Sequence, residues 1–398
     1  MGTGKLAIAL AGGGPLGAFY ELGALHALGE AVRGRELTDF DVYVGVSSGA
    51  LVAAALANGL DTIRLGSTYI RDEETLIPFS PGIPLQPAVG EFARRVASLP
   101  GALASIGRQY ARNPVRNAWP AAVSSLERIL PTAVFDNAPL ERYLRAAFSS
   151  RRCTDDFRKL RSRLYVVATN LNTGESVNFG DARHNRVPIS RAVVASAALP
   201  ALYPPVEIDG QQYVDGTLIR TMHASLALEA GCDLVICINP LVPFDVSRSR
   251  TRRHINLAEE GLPTILGQSL RALIHSRMQV GMASYRARYP QADTLLLEPD
   301  RHDATLFFAN VFRYSGRHRL VEHAYQKTRS DLLLQADALS ALCKRRNLHF
   351  DVDILRDRRR TFSTAARERS ARGRRATRQL REALRRLEGM LPAARAAG

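Results

Sequence analysis

The sequence predicts an α/β protein, a three-layer sandwich with a mainly parallel central sheet, and two observations support this prediction. Short apolar runs without polar alternation occur in LAIAL, VYVGV, LYVVATNL and LVICI. Such runs are typical of strands that are buried on both faces of a sheet. Segments with apolar residues three or four positions apart, the period of an amphipathic helix, lie between them. Alternating strands and helices predict a parallel sheet that helices cover on both sides.

The elements follow one another in a regular order. We expect strands within 5–13, 41–46, 164–171 and 233–240, and helices at 19–32, 50–57, 257–290 and 304–340. The helix at 50–57 should end at Asn58-Gly59, because glycine adopts the left-handed conformation that closes a helix.

The chain of 398 residues is expected to form one large domain with two appendages. The domain covers residues 1–340, and a helical insertion or lid covers 72–135 within it. A basic tail, residues 341–398, follows the domain. Its last part, 351–398, holds fourteen arginines and six acidic residues within a chain of net charge +16. Such a terminus is expected to be either an amphipathic helix or a solvated segment that attracts phosphate groups.

The uncharged stretch from Val42 to Leu60 allows two interpretations. Its nineteen residues are close to the length of a membrane-spanning helix, about 20 residues. Its first part is rich in valine, which favours a strand, and its second part is rich in alanine, which favours a helix. A sharp turn between the two parts would account for Gly45 and Gly49, so we expect a strand, a turn and a buried helix.

The same stretch contains the pattern Gly-x-Ser-x-Gly around Ser47. Between a strand and a helix, this pattern forms a strained turn that exposes a nucleophilic serine. The helix N-terminus beneath the serine favours negative charge. We therefore interpret Ser47 as a candidate nucleophile, with a structural turn as the alternative.

A second glycine pattern, GGGPLG, covers Gly12 to Gly17 and fits the dinucleotide-binding spacing. That function also requires an acidic residue at the end of the next strand, and here the acidic residues precede the strand. The backbone N–H groups of Gly12, Gly13, Gly14 and Gly17 would instead suit an oxyanion hole. A purely structural turn is the remaining alternative.

A carboxylate is a better candidate for the base than any of the nine histidines. The best histidine, His223, lies in a predicted helix. Asp209-Gly210 predicts a hairpin turn, since Asp-Gly is a frequent two-residue hairpin loop. Asp215-Gly216 ends the second strand of that hairpin and opens a predicted helix, so Asp215 is placed like a site residue, or else like a helix cap.

Together, GGGPLG (12–17), GVSSG (45–49), ASAALP (195–200) and DG (215–216) resemble the motifs of patatin-like phospholipases, over about residues 5–240. The resemblance implies a lipid acyl hydrolase with a Ser47–Asp215 dyad and no cofactor or metal. It also implies an oxyanion hole near Gly13 and Gly14. Two positions depart from the family pattern, namely Leu16, where a basic residue is frequent, and Thr217, where Gly or Ala is usual.

The expected substrate is an acyl ester of a phospholipid or related lipid, and the expected partner is an anionic membrane surface that the basic insertion and tail contact. A non-catalytic lipid-binding protein of the same fold is the alternative. Nucleic acid binding by the tail is disfavoured, because the tail lacks interleaved aromatic residues. We expect a cytoplasmic protein with peripheral membrane attachment. The head group, chain length, ester position and oligomeric state do not follow from the sequence.

Overall fold

The computed structural model describes residues 4–68, 82–90, 133–220, 222–248, 256–309 and 316–369, together with the single residues 97, 101, 104 and 382. Most of the predicted insertion, 72–135, therefore lies outside the described residues. The same is true of the part of the predicted tail that follows residue 369.

A mixed, mostly parallel sheet forms the centre of the molecule. Its strand order is β6-β7-β4-β3-β1-β8-β9, and β5 also pairs with β4. The pairs β1–β3, β3–β4, β1–β8 and β8–β9 are parallel, whereas β4–β5, β4–β7 and β6–β7 are antiparallel. Two further short strands, β2 and β10, pair separately. The strands are β1 Leu6–Leu10, β2 Val32–Arg33, β3 Val42–Val46, β4 Arg163–Asn170, β5 Ser176–Phe179, β6 Val206–Ile208, β7 Gln211–Asp215, β8 Leu234–Ile238, β9 Asp293–Leu297 and β10 His349–Phe350.

Helices cover both faces of this sheet. They are α1 Gly14–Ala31, α2 Ser48–Ala57, α3 Thr62–Gly66, α4 Ala138–Phe148, α5 Ile189–Ser196, α6 Ala224–Glu229, α7 Leu262–Arg288, α8 Ala304–Phe307, α9 Arg317–Leu334, α10 Ala336–Arg345 and α11 Val352–Arg356. The predicted three-layer α/β sandwich is thereby confirmed.

The core is divided by the sheet into two parts, because successive side chains of a strand point to opposite faces. Leu6, Ile8 and Leu10 of β1 pack on the face that α1, α2 and α9 cover. Ala7 and Ala9 pack on the other face, against residues of α6 and α7. The alternation of large and small side chains in LAIAL therefore lets the helices of the second face lie close to β1.

The stretch from Val42 to Leu60 is a strand followed by a helix, as expected. Strand β3 ends at Val46, α2 spans Ser48–Ala57, and Gly59 has a φ of +75° at the helix end. No helix in the described part of the chain combines the length and apolar character that a membrane span requires.

Three expectations about the elements were incomplete or wrong. The predicted helix after Asp215 is a 3₁₀ turn, Gly216–Leu218, and the α-helix begins only at Ala224. The single helix expected over 304–340 is divided into α8, α9 and the start of α10. Strand β9 was not predicted, because its five residues lie next to a long helical pattern.

Residues 341–369, which we predicted to begin the tail, pack against the domain. Leu348, Phe350, Leu355 and Phe362 are buried in the same core as α1 and α9. Of the predicted insertion, chiefly residues 82–90 and 133–135 are described, and these two segments lie together: the Ala88 N–H donates to the carbonyl of Val134 at 3.0 Å.

Candidate active site

Ser47 occupies a strained turn between β3 and α2. Its φ of +53° and ψ of −124° lie in a region that non-glycine residues rarely adopt. The neighbouring backbone is so close that only glycine fits beside it. A Cβ atom on Gly49 would lie 2.6 Å from the carbonyl oxygen of Leu10, and one on Gly45 would lie 2.5 Å from that of Gly49. The turn thus requires both motif glycines.

A second serine holds this turn in place. The hydroxyl of Ser196, at the end of α5, accepts a hydrogen bond from the backbone N–H of Ser47 at 2.8 Å. It donates to the carbonyl of Val167 at 2.6 Å. Because Ser196 is fully buried, this bridge links the Ser47 turn rigidly to β4.

Asp215 reaches Ser47 because β4 is longer than β3. Val46 pairs with Val167, and β4 continues for three residues beyond that point. Strand β7 pairs with this extension and runs antiparallel to it, so that Asp215 ends opposite Ala168. The ends of β3 and β7 therefore lie close together although the two strands run in opposite directions.

Ser47 and Asp215 lie beside one another, close enough for the Ser47 hydroxyl to lower the pKa of the Asp215 carboxyl. Both are buried, with 7% of Ser47 and 2% of Asp215 exposed. Burial raises the pKa of the Asp215 carboxyl above its usual value, and the hydrogen bonds from Ser47 and Thr217 oppose this rise. A buried carboxylate beside a serine hydroxyl can accept its proton.

Thr217 contributes two of these hydrogen bonds. Its backbone N–H donates to Oδ1 of Asp215 at 2.9 Å, and its hydroxyl donates to the same oxygen at 2.8 Å. Asp215 therefore caps the 3₁₀ turn while its carboxyl group lies beside Ser47. The two interpretations of Asp215, as a helix cap and as a site residue, are therefore compatible with each other.

The first glycine of GGGPLG lies directly against the Ser47 turn. A Cβ atom on Gly12 would lie 2.3 Å from Cγ2 of Thr217 and 3.0 Å from Cβ of Ser47. Only a glycine lets the loop pass this close to both residues. The loop therefore crosses the site at the position from which its backbone can contact a bound ester.

The rest of this glycine loop leads into α1, which begins at Gly14. The first N–H groups of a helix have no partner within the helix. The N–H groups of Gly13 and Gly14 make no hydrogen bond among the described residues. Gly17 lies one turn further on, where its N–H donates to the carbonyl of Gly13. It contributes to the loop by close packing rather than by a free donor.

The other predicted site residues are also accounted for. A Cβ atom on Gly216 would lie 2.4 Å from the carbonyl oxygen of Val167, so this glycine lets the Asp215 turn approach β4. His223 is buried just before α6, and burial lowers its pKa to about 4. In the described part of the chain, no group of three or more His, Cys, Asp or Glu side chains forms a metal site.

A cavity of about 450 Å³ lies between the segment after Asp215 and helix α7. Its lining includes the apolar side chains Ile219, Met222, Met278 and Met282. Arg277 of α7 joins the two sides, since its guanidinium donates to the carbonyls of Leu218 and Ile219. The cavity thus begins four residues after Asp215.

Sequence reasoning did not single out Ser196, although it lies in the quoted stretch ASAALP. A serine between small residues at the end of a helix gives no sign that it contacts a strand turn 149 residues earlier. Thr217 was noticed only as a departure from a family pattern, whereas its hydroxyl contacts the candidate base.

All four sequence motifs lie within a single match to a known protein family. Residues 8–228 match the family model of patatin-like phospholipases. Among solved structures, VipD from Legionella pneumophila matches with 16% identity and a TM-score of 0.37, over 82% of this chain and 66% of that chain. The type III effector protein ExoU matches with 16% identity and a TM-score of 0.30, over 99% and 66% of the two chains. The chain therefore spans slightly less than two thirds of the length of either protein.

Proposed function

The chain belongs to the patatin-like phospholipase family, and from this membership and the site geometry we propose that it is a serine hydrolase of lipid acyl esters. The expected substrates are phospholipids or related lipids. The proposed reaction proceeds through an acyl-enzyme, with Ser47 as nucleophile and Asp215 as base.

In the first step, Oγ of Ser47 attacks the ester carbonyl while Asp215 accepts the hydroxyl proton. The carbonyl oxygen becomes an oxyanion, which the N–H groups of Gly13 and Gly14 stabilise. The intermediate collapses, the acyl–oxygen bond breaks, and Asp215 returns the proton to the leaving alcohol. Water then attacks the acyl-enzyme while Asp215 again accepts a proton. The bond to Oγ breaks as Asp215 returns this proton to Ser47, and the fatty acid is released.

One observation carries this proposal, namely the proximity of two buried groups, the Ser47 hydroxyl and the Asp215 carboxyl. Two buried polar side chains from distant parts of the chain lie beside a glycine loop in which the N–H groups of Gly13 and Gly14 make no hydrogen bond among the described residues. The strained backbone of Ser47 supports the same conclusion, because strain of this kind concentrates at functional sites.

The decisive experiment combines labelling with turnover. We expect a fluorophosphonate probe to modify Ser47 in the wild type and not in Ser47→Ala. Asp215→Asn keeps the shape of the carboxyl group, so we expect it to stay folded and to lose at least about 100-fold in kcat/KM, the lower range for a general base. Undiminished hydrolysis of a short-chain chromogenic ester by both variants would remove the dyad.

The same experiment separates the enzyme from its alternative, a lipid-binding protein of the same fold. Binding to lipid vesicles without any hydrolysis, and without labelling of Ser47, would favour the non-catalytic function.

We further propose that the acyl chain occupies the cavity beside α7, against its apolar side chains Ile219, Met222, Met278 and Met282. The methionine side chains that line it are flexible and adapt to an irregular apolar ligand. The contact of Arg277 with Leu218 and Ile219 keeps this cavity next to the Asp215 turn.

Finally, we propose that the protein works at an anionic membrane surface. The chain carries a net charge of +16, and residues 351–398 of the predicted tail hold fourteen arginines against six acidic residues. Helix α7 adds an apolar surface, since Leu262, Leu266, Leu273 and Val280 recur at helical spacing and are all exposed. Apolar residues flanked by arginines are typical of a helix that lies on a lipid surface.

A further inference from the structure

A narrow cleft opens on the far side of the glycine loop from Ser47. Gly12 contacts Ser47, whereas Gly13, Leu16 and Gly17 line the cleft. The opposite wall includes Arg271 of α7 and Phe307 of α8. A molecule with its ester carbonyl at Ser47 could therefore extend across the loop into this cleft.

Arg271 lies on the side of α7 that packs against the protein. Ile274, Met278, Met282 and Tyr285 are buried along this side, at intervals of three or four residues. Arg271 precedes Ile274 by three positions, and its side chain is half-buried. A cation on the packed side of a helix is unusual, because charged side chains are rarely buried without a partner.

No carboxylate of the described residues pairs with this guanidinium. Two acidic residues line the same cleft, but both are engaged elsewhere: Asp300 with Lys327 at 3.2 Å, and Asp303 with His323 at 2.6 Å. Burial alone lowers the pKa of Arg271, and no neighbouring charge offsets it. Arginine remains a cation at any physiological pH.

The guanidinium is held in position by an aromatic group instead. It lies 4.6 Å from the ring centroid of Phe307, which stacks on Phe244 at 4.9 Å. Gln268 fixes this part of α7, because its side-chain amide exchanges two hydrogen bonds with the backbone of Phe244. A stacked guanidinium keeps its N–H donors free for a planar or tetrahedral anion.

We propose that Arg271 binds the phosphate group of the substrate, so that the cleft is a head-group site for anionic phospholipids. This inference rests on the proposed function and deepens it by naming the part of the substrate that the cleft recognises. Leu16 faces the same cleft without a charge. Of the two arginines that line the cleft, Arg301 is exposed and Arg271 is the half-buried one.

A binding measurement tests this inference without requiring turnover. The probe is a short-chain diether phosphatidylglycerol below its micelle concentration, which carries the phosphate but no cleavable ester. We expect Arg271→Gln to weaken its binding about 10- to 100-fold, the range for a hydrogen bond to a charged group. Arg271→Lys should retain much of the affinity, and Arg286→Gln, an exposed position on the same helix, should retain all of it.

Turnover provides the second readout. With monomeric dihexanoyl phosphatidylglycerol and p-nitrophenyl hexanoate as paired substrates, Arg271→Gln should lower kcat/KM only for the phospholipid. Inorganic phosphate distinguishes the two sources of the anion, and we expect it to compete only weakly with the diether lipid.

The contrary results are equally clear. Equal binding by wild type and Arg271→Gln, equal losses on both esters, or equal losses in Arg286→Gln would each overturn the inference. Tight binding of inorganic phosphate in place of the lipid would reassign the cleft to free phosphate and also overturn it. If Ser47 is not labelled while the diether lipid still depends on Arg271, only the hydrolytic function fails.

Discussion

At the scale of single residues, Thr217 influences the pKa of the candidate base, Asp215. Its hydroxyl and its backbone N–H both donate to Oδ1 of Asp215, in opposition to the effect of burial. Hydrogen bonds to the charged form of a carboxyl group favour that form and lower its pKa. The residue that departs from the family pattern thus helps Asp215 to remain ionised.

The pH dependence of turnover should reveal this role. Thr217→Val removes one donor and keeps the branched shape, so the pKa of Asp215 should rise. The base must be ionised to accept a proton, and the acidic limb of the kcat/KM profile should therefore move to higher pH. Thr217→Ser keeps the hydroxyl and should leave the limb in place. A limb that stays fixed, or moves to lower pH, in Thr217→Val would contradict this assignment.

The residue scale is also where the sequence was most informative. Ser47 lies in a turn whose glycines are dictated by nearby backbone atoms, so the pattern itself encoded the geometry. Ser196 could not be found in this way. Its contact with Ser47 depends on how α5 packs against β4, which is a tertiary property that no local pattern records.

At the scale of elements, the sequence predicted most strands of the central sheet but missed β5 and β9, and it did not predict the direction of every strand. The valine-rich runs identified β3 and β4 because both are buried on two faces. The direction of β7 depends on its hairpin with β6, which turns at Asp209-Gly210 as predicted and has positive φ at both residues. The antiparallel return of β7 along the end of β4 then determines where Asp215 lies.

The close approach of the glycine loop gives a prediction at this scale. Gly12→Ala would place a methyl group 2.3 Å from Cγ2 of Thr217, so the loop or the Asp215 turn must shift. Such overpacking typically lowers the free energy of unfolding by about 1–3 kcal/mol, and here it should also displace the donors of the proposed oxyanion hole. We expect kcat/KM to fall by at least about tenfold, the effect of roughly 1.4 kcal/mol on the barrier.

A matched control is available in α7. A Cβ atom added at Gly267 would lie in open space. Gly267→Ala should therefore raise the free energy of unfolding, measured in urea, by up to about 1 kcal/mol and leave the activity unchanged. Full activity in Gly12→Ala would mean that the loop does not contribute to catalysis in its present position.

Helix α7 also carries a prediction about chain length. Met278→Trp should narrow the cavity beside Ile219, so hydrolysis of long-chain esters should decline while hydrolysis of short-chain esters persists. Ala283→Trp adds the same bulk on the exposed side of the helix and should preserve the preference. Rates for a series of p-nitrophenyl esters would measure this, and a parallel loss at every chain length would count against the acyl site.

At the scale of the whole molecule, the residues after α10 stabilise the helix that follows the glycine loop. Strand β10 pairs with β2, which follows α1 directly. The guanidinium of Arg360 forms a buried ion pair with Glu30 at the end of α1. Arg329 of α9 donates to backbone carbonyls of this C-terminal segment, including that of Asp357 at 2.7 Å. The sequence showed the charge of this region but not its packing, because an arginine run alone does not reveal which guanidinium has a buried partner.

Membrane attachment involves the whole surface of the protein. Two variants separate the apolar contribution of α7 from the electrostatic contribution of the arginines in the tail. Leu266 and Leu273 are 59% and 52% exposed on α7, and Leu266→Asp/Leu273→Asp should weaken binding to both anionic and zwitterionic vesicles. Removal of residues 370–398 deletes eight arginines and should weaken binding to anionic vesicles alone. Each basic residue near an anionic surface contributes about 1 kcal/mol.

Vesicle flotation at two salt concentrations distinguishes these contributions, because salt screens the attraction of the arginines and not the insertion of leucines. Leu334→Asp is the matched control, since Leu334 is 85% exposed at the end of α9, outside the proposed surface. If Leu334→Asp weakens flotation as much as the α7 pair does, general surface hydrophobicity accounts for binding and α7 has no special part in it. If the α7 pair alone has an effect, the helix that carries Arg271 is also the helix that contacts the lipid surface.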